Sequence, residues 1–286
     1  MAVIGGMIGV VVCIIIGLVG PGGNPLVLIQ PFEYITIGGC GICTLFVANP
    51  PWVNKAIIPG IMGTLKGSGV SKDKYKQMLG LMASIFDTMR KEGVLGIEGD
   101  LNNPHESARF NKFPLASHDH HLMETFTGAL RLFVDGVVNA FDLERLLDTE
   151  LETHHEEALI TPTAVNKLAD AFPALGIVAA VLGIIVTMSH LDGPPSEIGA
   201  HVAAALVGTM LGIALCYGFV GPLATRMESI VNEQGGLLKC VKAGLVSFAG
   251  GAPPQVALEF ARKSIPPIYR PSGQELEVII KEAKGK

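Results

Sequence analysis

Few side chains in this chain of 286 residues are of types and spacings that could do chemistry. Cys40-x-x-Cys43 has the spacing of a redox or metal pair, but Gly38, Gly39 and Gly41 surround it. In an apolar stretch such small residues serve helix packing, so both cysteines read as structural. A protein that moves ions unaided keeps an ionisable group at depth, because that group is costly in hydrocarbon and is retained only for use. Glu33 opens one apolar stretch, where it is expected at the interface, and His201 lies near the start of another. The interiors hold no other acid or base, so an ion handled here needs a carboxylate from a partner. Thr187 and Thr209 carry hydroxyls that either bond back to their own helix or line a pore. Pro173 reads as opening a span and Pro222 as closing one, ordinary helix punctuation. Arg90 and Glu98 are opposite charges about two helical turns apart, on either side of Gly93. By residue type alone they are a solvated face. No catalytic constellation, metal site or cofactor is expected, and the chain does not read as an enzyme.

The elements that must hold these groups are marked by charge. Only 16 % of residues are charged and 49 % are hydrophobic, against roughly 25 % charged in soluble domains. The first charged residue is Glu33, and all 21 Lys and Arg fall in 55–167 (twelve) and 226–286 (nine). The blocks 1–50 and 171–222 are apolar and rich in Gly and Ala, and each has room for two spans of about 20 residues. Turn sequences divide them at Gly20-Pro21-Gly22-Gly23-Asn24-Pro25 and at His190 to Ser196. The expected spans are about 2–19, 30–48, 172–190 and 199–221. The fold class is thus an all-α integral membrane protein, with four transmembrane helices and a helical cytoplasmic domain. Its segments are 1–50 (spans one and two), 51–170 (cytoplasmic domain), 171–222 (spans three and four) and 223–286 (cytoplasmic tail). The connections near 20–29 and 191–198 lack Lys and Arg, so the positive-inside rule puts the loop, the tail and both termini in the cytoplasm. The first stretch has no basic n-region and a second span follows at once, so no cleaved signal is expected. A net charge of −5 without a basic, aromatic-laced patch gives no sign of nucleic-acid binding.

Within 51–170, Tyr75, Leu79, Met82, Ile85, Phe86 and Met89 recur at helical spacing, predicting a helix over 73–92 that ends at Gly93. Leu122, Phe126, Leu130, Phe133, Val134, Val137, Phe141 and Leu147 predict a second over 121–148. Asn102-Asn103-Pro104 and Lys112-Phe113-Pro114 mark turns between them. The tail reads as a helix over 226–248, a break at Gly250 to Pro254, a short helix over 255–263 and an amphipathic end at 274–284. Nothing alternates with period two, so no sheet is expected. Gly5-x-x-x-Gly9, Ala179-x-x-x-Gly183 and Gly208-x-x-x-Gly212 let helix backbones approach. They serve packing within the chain or assembly around a partner helix.

Several of these strings together resemble a known family. Pro173 to Gly183, Val207-Gly208-Thr209, Leu211-Gly212, Tyr217-Gly218-Phe219 and Pro222-Leu223-Ala224-Thr225 are similar to spans three and four of the MotA flagellar-stator family, among the MotA/TolQ/ExbB proton channels. So are Glu98, Asp100 and Asn103-Pro104-x-Glu106-Ser107 in the loop. In the tail, the similar strings are Ala252-Pro253-Pro254, Glu259-Phe260, Arg262-Lys263 and Arg270-Pro271-Ser272. The resemblance implies an inner-membrane subunit that forms a pentamer around two copies of MotB. MotB is a single-span, peptidoglycan-binding partner that supplies the membrane aspartate. Arg90 and Glu98 match the charges that face the rotor protein FliG. Pro173, Ala180, Thr209 and Pro222 match the ion pathway and its coupling. Sodium-type members of the family resemble one another in having a threonine where Ala180 stands, which implies protons as the translocated ion. Three other readings compete. A TolQ- or ExbB-type energiser has three spans and an outside N-terminus. A transporter working alone needs polar residues in its spans. A non-energised scaffold needs neither.

Overall fold

The computed structural model describes residues 2–104 and 106–283. Every regular element among them is helical. Residue 284, the last of the expected amphipathic end, lies outside the described residues. The chain forms two compact units, Met1–Gly67 with Ala158–Ile230, and Ser68–Glu157 with Val231–Lys286. Packing therefore divides the chain at other points than hydropathy does.

The first unit begins with α1 (Ala2–Val19), which has no charged residue. Asn24 accepts a hydrogen bond from the Leu26 amide and caps a 3-10 turn over Pro25–Leu28. Then α2 runs over 31–48, with a π-helical stretch at Ile35–Gly39. A further helix, α3 (Pro51–Lys66), follows with Pro59 inside it; sequence periodicity had marked no element there. The unit is completed by parts of two long helices shared with the second unit, α9 (Ala140–Met188) and α10 (Pro195–Ala249). Three stretches, Pro25–Ala48, α9 and α10, are long and apolar enough to cross a membrane, and Val3–Val19 is a shorter apolar helix. Ile16, Phe46, Ile177, Ile185 and Leu206 point outward. An apolar coat of that extent calls for lipid or a partner rather than water.

The second unit is built on α4 (Lys72–Glu92). Ser71 caps its start and Gly93, at φ 76°, ends it, within a residue of the span read from the sequence. Its apolar face, Tyr75, Leu79, Met82, Ile85 and Phe86, is fully buried, and Phe86 stacks on Phe248 with ring centroids 4.2 Å apart. Short helices α5 (Leu95–Asn102), α6 (Ala108–Asn111) and α7 (Pro114–Ser117) lead to α8 (His120–Val134). The single helix expected over 121–148 is instead two. Gly136 takes φ 67°, a conformation that a helix cannot include and that glycine adopts freely. Asn139 then accepts from the Phe141 and Asp142 amides and starts α9 afresh. The break leaves Val137 and Phe141 exposed rather than on a core face.

Two tail helices, α11 (Pro254–Ser264) and α12 (Gly273–Ala283), close the unit. The tail strings that carried the family resemblance serve the fold here. Arg262 grips Glu259 through two bonds of 2.6 and 2.7 Å and donates to the Pro271 carbonyl at 2.9 Å. Ser272 and Glu275 cap α12 reciprocally. Lys72, the Ser272 amide and Lys76 hold the Glu275 carboxyl down at about 2, which fastens α12 to α4. Cys240 is fully buried, and burial pushes its thiol up to about 12 against a bond from Ser264.

Candidate functional site

Two places carry the residues singled out by sequence, one in each unit. In the first unit, α9 and α10 lie against each other along a seam of small residues. A Cβ on Gly176 would meet the Gly208 carbonyl at 2.9 Å and the Gly212 Cα at 3.1 Å, and one on Gly212 would meet the Phe172 carbonyl at 2.5 Å. Gly183 approaches Ala205 in the same way. Two of the three small-residue pairs are therefore spent within the chain. Gly5 and Gly9 on α1 have no atom of the described residues near a Cβ position.

The residues that the resemblance matches to an ion path lie along or near this seam. Thr209 Cα lies 3.4 Å from a Cβ placed on Gly176, and Gly176 stands three residues after Pro173 and four before Ala180. Positions three and four apart share a helix face, so Pro173, Gly176 and Ala180 line one side of α9 with Thr209 across from them. Pro173, Ala180 and Thr209 are half-buried, and Pro222 is exposed. A Cβ placed on Gly221, beside Pro222, would lie 4.0 Å from Ala169 Cβ, one turn below Pro173. Thr187 is buried and its hydroxyl donates back to the Gly183 carbonyl at 2.8 Å, so it is engaged in its own helix.

Neither proline is helix punctuation. Pro173 lies inside α9, and α10 runs past Pro222 to Ala249. An interior proline has no N–H for the carbonyl four residues back and crowds that carbonyl. The Ala169 carbonyl, four residues before Pro173, thus loses its helical donor. At Pro222 the crowding is relieved by a π-helical segment over Leu215–Val220, where the Gly221 N–H reaches the Cys216 carbonyl. A Cβ at Gly221 would lie 2.6 Å from that carbonyl; glycine lets the wide turn and the proline coexist.

Glu33, in the first turn of α2, is 9 % exposed and stands against Gly208, where a Cβ would lie 2.6 Å from its Oε2. Residue type flagged the acid, but the turn before α2 hid how far along α10 it sits.

In the second unit, the segment from Arg90 to Glu98 forms a charged corner. Both residues are exposed, and neither makes an ion pair among the described residues. Gly96 presses on the last turn of α4, where a Cβ would meet Glu92 Cβ at 2.9 Å and Thr88 Cγ2 at 3.0 Å. A polar lock fixes the corner. Ser107 donates to Asp100 Oδ1 at 2.6 Å, Arg109 Nε lies 2.9 Å from Asp100 Oδ2, and Arg109 donates to the Ser84 carbonyl at 3.0 Å and to Thr88. Asp100 and Ser107, prominent in the loop string, thus hold Glu98 on α5 in place relative to Arg90 on α4. Sequence gave no sign of Arg109 in this role.

A largely apolar helical bundle with a proline-marked, small-residue seam, joined to a charged helical unit, defines a polytopic helical membrane subunit. The chain belongs to the motility protein A family of the MotA/TolQ/ExbB proton channels. Residues 4–93 match the family described as "Motility protein A N-terminal" and residues 117–238 the "MotA/TolQ/ExbB proton channel family". The chain is 38 % identical to motility protein A of Salmonella typhimurium, over 91 % of this chain and 88 % of that one. It is 36 % identical to motility protein A of Escherichia coli, over 94 % and 91 %. It is 34 % identical to chemotaxis protein LafT of Vibrio parahaemolyticus, over 98 % of each. Its fold resembles a chain of the C. jejuni MotAB structure with a TM-score of 0.78 at 21 % identity, covering 95 % of this chain and 98 % of that chain.

Proposed function

We propose that this chain is a stator subunit of the flagellar motor, which with MotB conducts protons across the inner membrane and turns their flow into torque on the rotor. The observation that carries the reading is the likeness to motility protein A over 91 % of the chain at 38 % identity. The match of residues 4–93 to the motility protein A N-terminal family favours it over a TolQ- or ExbB-type energiser. In this reading α1 is the fourth span. Its 18 residues extend about 27 Å at ~1.5 Å per residue, close to the ~30 Å of a hydrocarbon core. Subunits assemble as a pentamer around a MotB dimer, whose aspartate faces the seam of α9 and α10. Protonation neutralises that aspartate and changes its fit against Pro173. Repeated cycles step the ring of subunits around MotB. The chain expressed in cells lacking their own stator should restore swimming and retain a single-span, peptidoglycan-binding partner on purification. Loss of that partner together with absent swimming would reject the reading.

The topology follows the charge asymmetry, with the second unit and both termini in the cytoplasm. Cysteines introduced at Gly22 or Ser196 should react with an impermeant reagent added to intact cells, and one at Asp100 should stay unlabelled until the cells are opened. Labelling of position 100 in intact cells would invert the arrangement.

The charged corner is the surface proposed to face FliG. An exposed ion pair is worth about 0–1 kcal/mol, so reversing Arg90 or Glu98 alone should weaken motility only in part. The double variant Arg90→Glu, Glu98→Lys should be weaker still, and reversing the opposing rotor charges should restore it. Full swimming of the double variant on the unaltered rotor would remove this corner from the contact.

A further inference from the structure

The buried carboxyl of Glu33 has no hydrogen-bond partner for its Oε2. Its niche is built from two helices. A point one Cβ length out from Gly208 lies 2.6 Å from Oε2, 3.2 Å from the carboxyl carbon and 3.3 Å from Ala179 Cβ. A side chain at 208 would fill the space the carboxyl occupies. Gly208 stands thirteen residues beyond Pro195, where α10 begins, and Ala179 nine before Met188, where α9 ends. At ~1.5 Å per residue these are about 20 and 14 Å of helix, so the walls of the niche stand several turns from the ends of α10 and α9. Gly208 and Ala179 directly precede Thr209 and Ala180, so the niche backs onto the proposed ion path.

We propose that Glu33 is a proton-binding group of this subunit, a station on the ion path additional to the partner's carboxylate, with Gly208 and Ala179 as its walls. This rests on the proton-driven stator reading. Neither wall residue ionises. The ionisable side chains next along α10 are His201 and Cys216, about two turns away on either side, and along α9 they are Asp170 and His190, further off. Beside Glu33, Tyr34 is engaged, its hydroxyl donating to the Leu28 carbonyl at 2.6 Å. No cation is at hand, since 168–225 and 1–54 hold no Lys or Arg. Burial without a donor favours the neutral acid, whereas the N-terminal turn of α2, where Glu33 sits, favours the anion. The two tendencies oppose, which is what a group that exchanges protons requires. The carboxylate takes up a proton to become the neutral acid. On release the proton passes to water or to the partner's carboxylate, and the anion returns.

The test uses the full subunit with its partner, purified in lipid, and infrared difference spectra between acidic and alkaline buffer. Wild-type complex should show a carboxylic C=O band that Glu33→Gln removes and Glu33→Asp keeps. In cells, Glu33→Gln should lower motor speed at low load, where ion transfer limits, and Glu33→Asp should recover it. Gly208→Ala should reduce complex yield by crowding Oε2, and adding Glu33→Ala should restore the yield without the band. A band unchanged in Glu33→Gln overturns the proposal, as does low-load speed unchanged when the band is lost. Failure of the unaltered chain to restore swimming in stator-less cells would instead reject the stator reading, whatever the band does.

Discussion

Replacing Gly212 by valine should abolish swimming and strip the subunit from its partner. A Cβ at 212 falls 2.5 Å from the Phe172 carbonyl, 2.9 Å from Gly176 Cα and 3.2 Å from Gly176 N. All three are backbone atoms, so no rotamer change relieves the contact and the two helices must part. Overpacking costs about 1–3 kcal/mol where side chains can yield; a backbone clash exceeds that range. Parting α9 from α10 also displaces Thr209 from the face that carries Pro173 and Ala180, so the proposed ion path goes with the packing. Gly60→Ala is the control. Its new methyl would meet Met227 Cε at 2.9 Å and Thr161 Cγ2 at 3.3 Å, and the flexible end of a methionine gives way easily. Swarm diameter and the amount of partner retained on purification measure both variants. Parental swimming by Gly212→Val would mean that the seam is not needed closed.

Much of this arrangement is legible in the sequence, where one local signal dominates. The helix over 73–92 carries its own punctuation, Ser71 before it and Gly93 after it, and its apolar period has no competitor. The helix over 121–148 failed because apolar period runs on through Gly136 while backbone geometry does not. A period reports which side chains face a core, and a single positive φ overrides it. Pro173 and Pro222 failed for the opposite reason. Each stands beside an apolar stretch and so looks like an end. But α9 and α10 continue as helices outside the apolar stretch, and hydropathy is blind to that continuation.

The candidate site was readable by residue type and not by partner. Arg90 and Glu98 are plain in the chain; the lock of Asp100, Ser107 and Arg109 that positions Glu98 joins residues up to 25 apart, from Ser84 to Arg109, and no spacing rule reaches so far. Glu33 was visible as a lone acid in a charge-free block. Its placement against Gly208 follows from the tertiary pairing of α2 with α10, and the glycine that makes the room looks in sequence like one more helix-packing residue.

Swimming powered by this chain should persist when sodium is replaced by potassium and collapse when a protonophore is added. A sodium ion that leaves water needs several oxygen ligands in return, whereas a proton needs a single titratable acceptor. Along the seam, Ala180 presents a methyl group where the sodium-type relatives implied by the family resemblance carry a hydroxyl. Thr187, near the end of α9, is buried and its hydroxyl donates to the Gly183 carbonyl. That leaves Thr209, half-buried beside Gly176, as the hydroxyl able to meet the partner's carboxylate or a water next to it. The Ala169 carbonyl released by Pro173 can accept from a protonated carboxyl or a water, and one such oxygen with one hydroxyl falls short of the shell a bare sodium ion requires. A protonatable carboxyl needs no such shell. Speed measured in tethered or swimming cells across external sodium concentrations should therefore be flat, and should fall to zero with the proton gradient. Speed that rises with sodium at constant pH would assign the path to sodium and leave the stator reading standing.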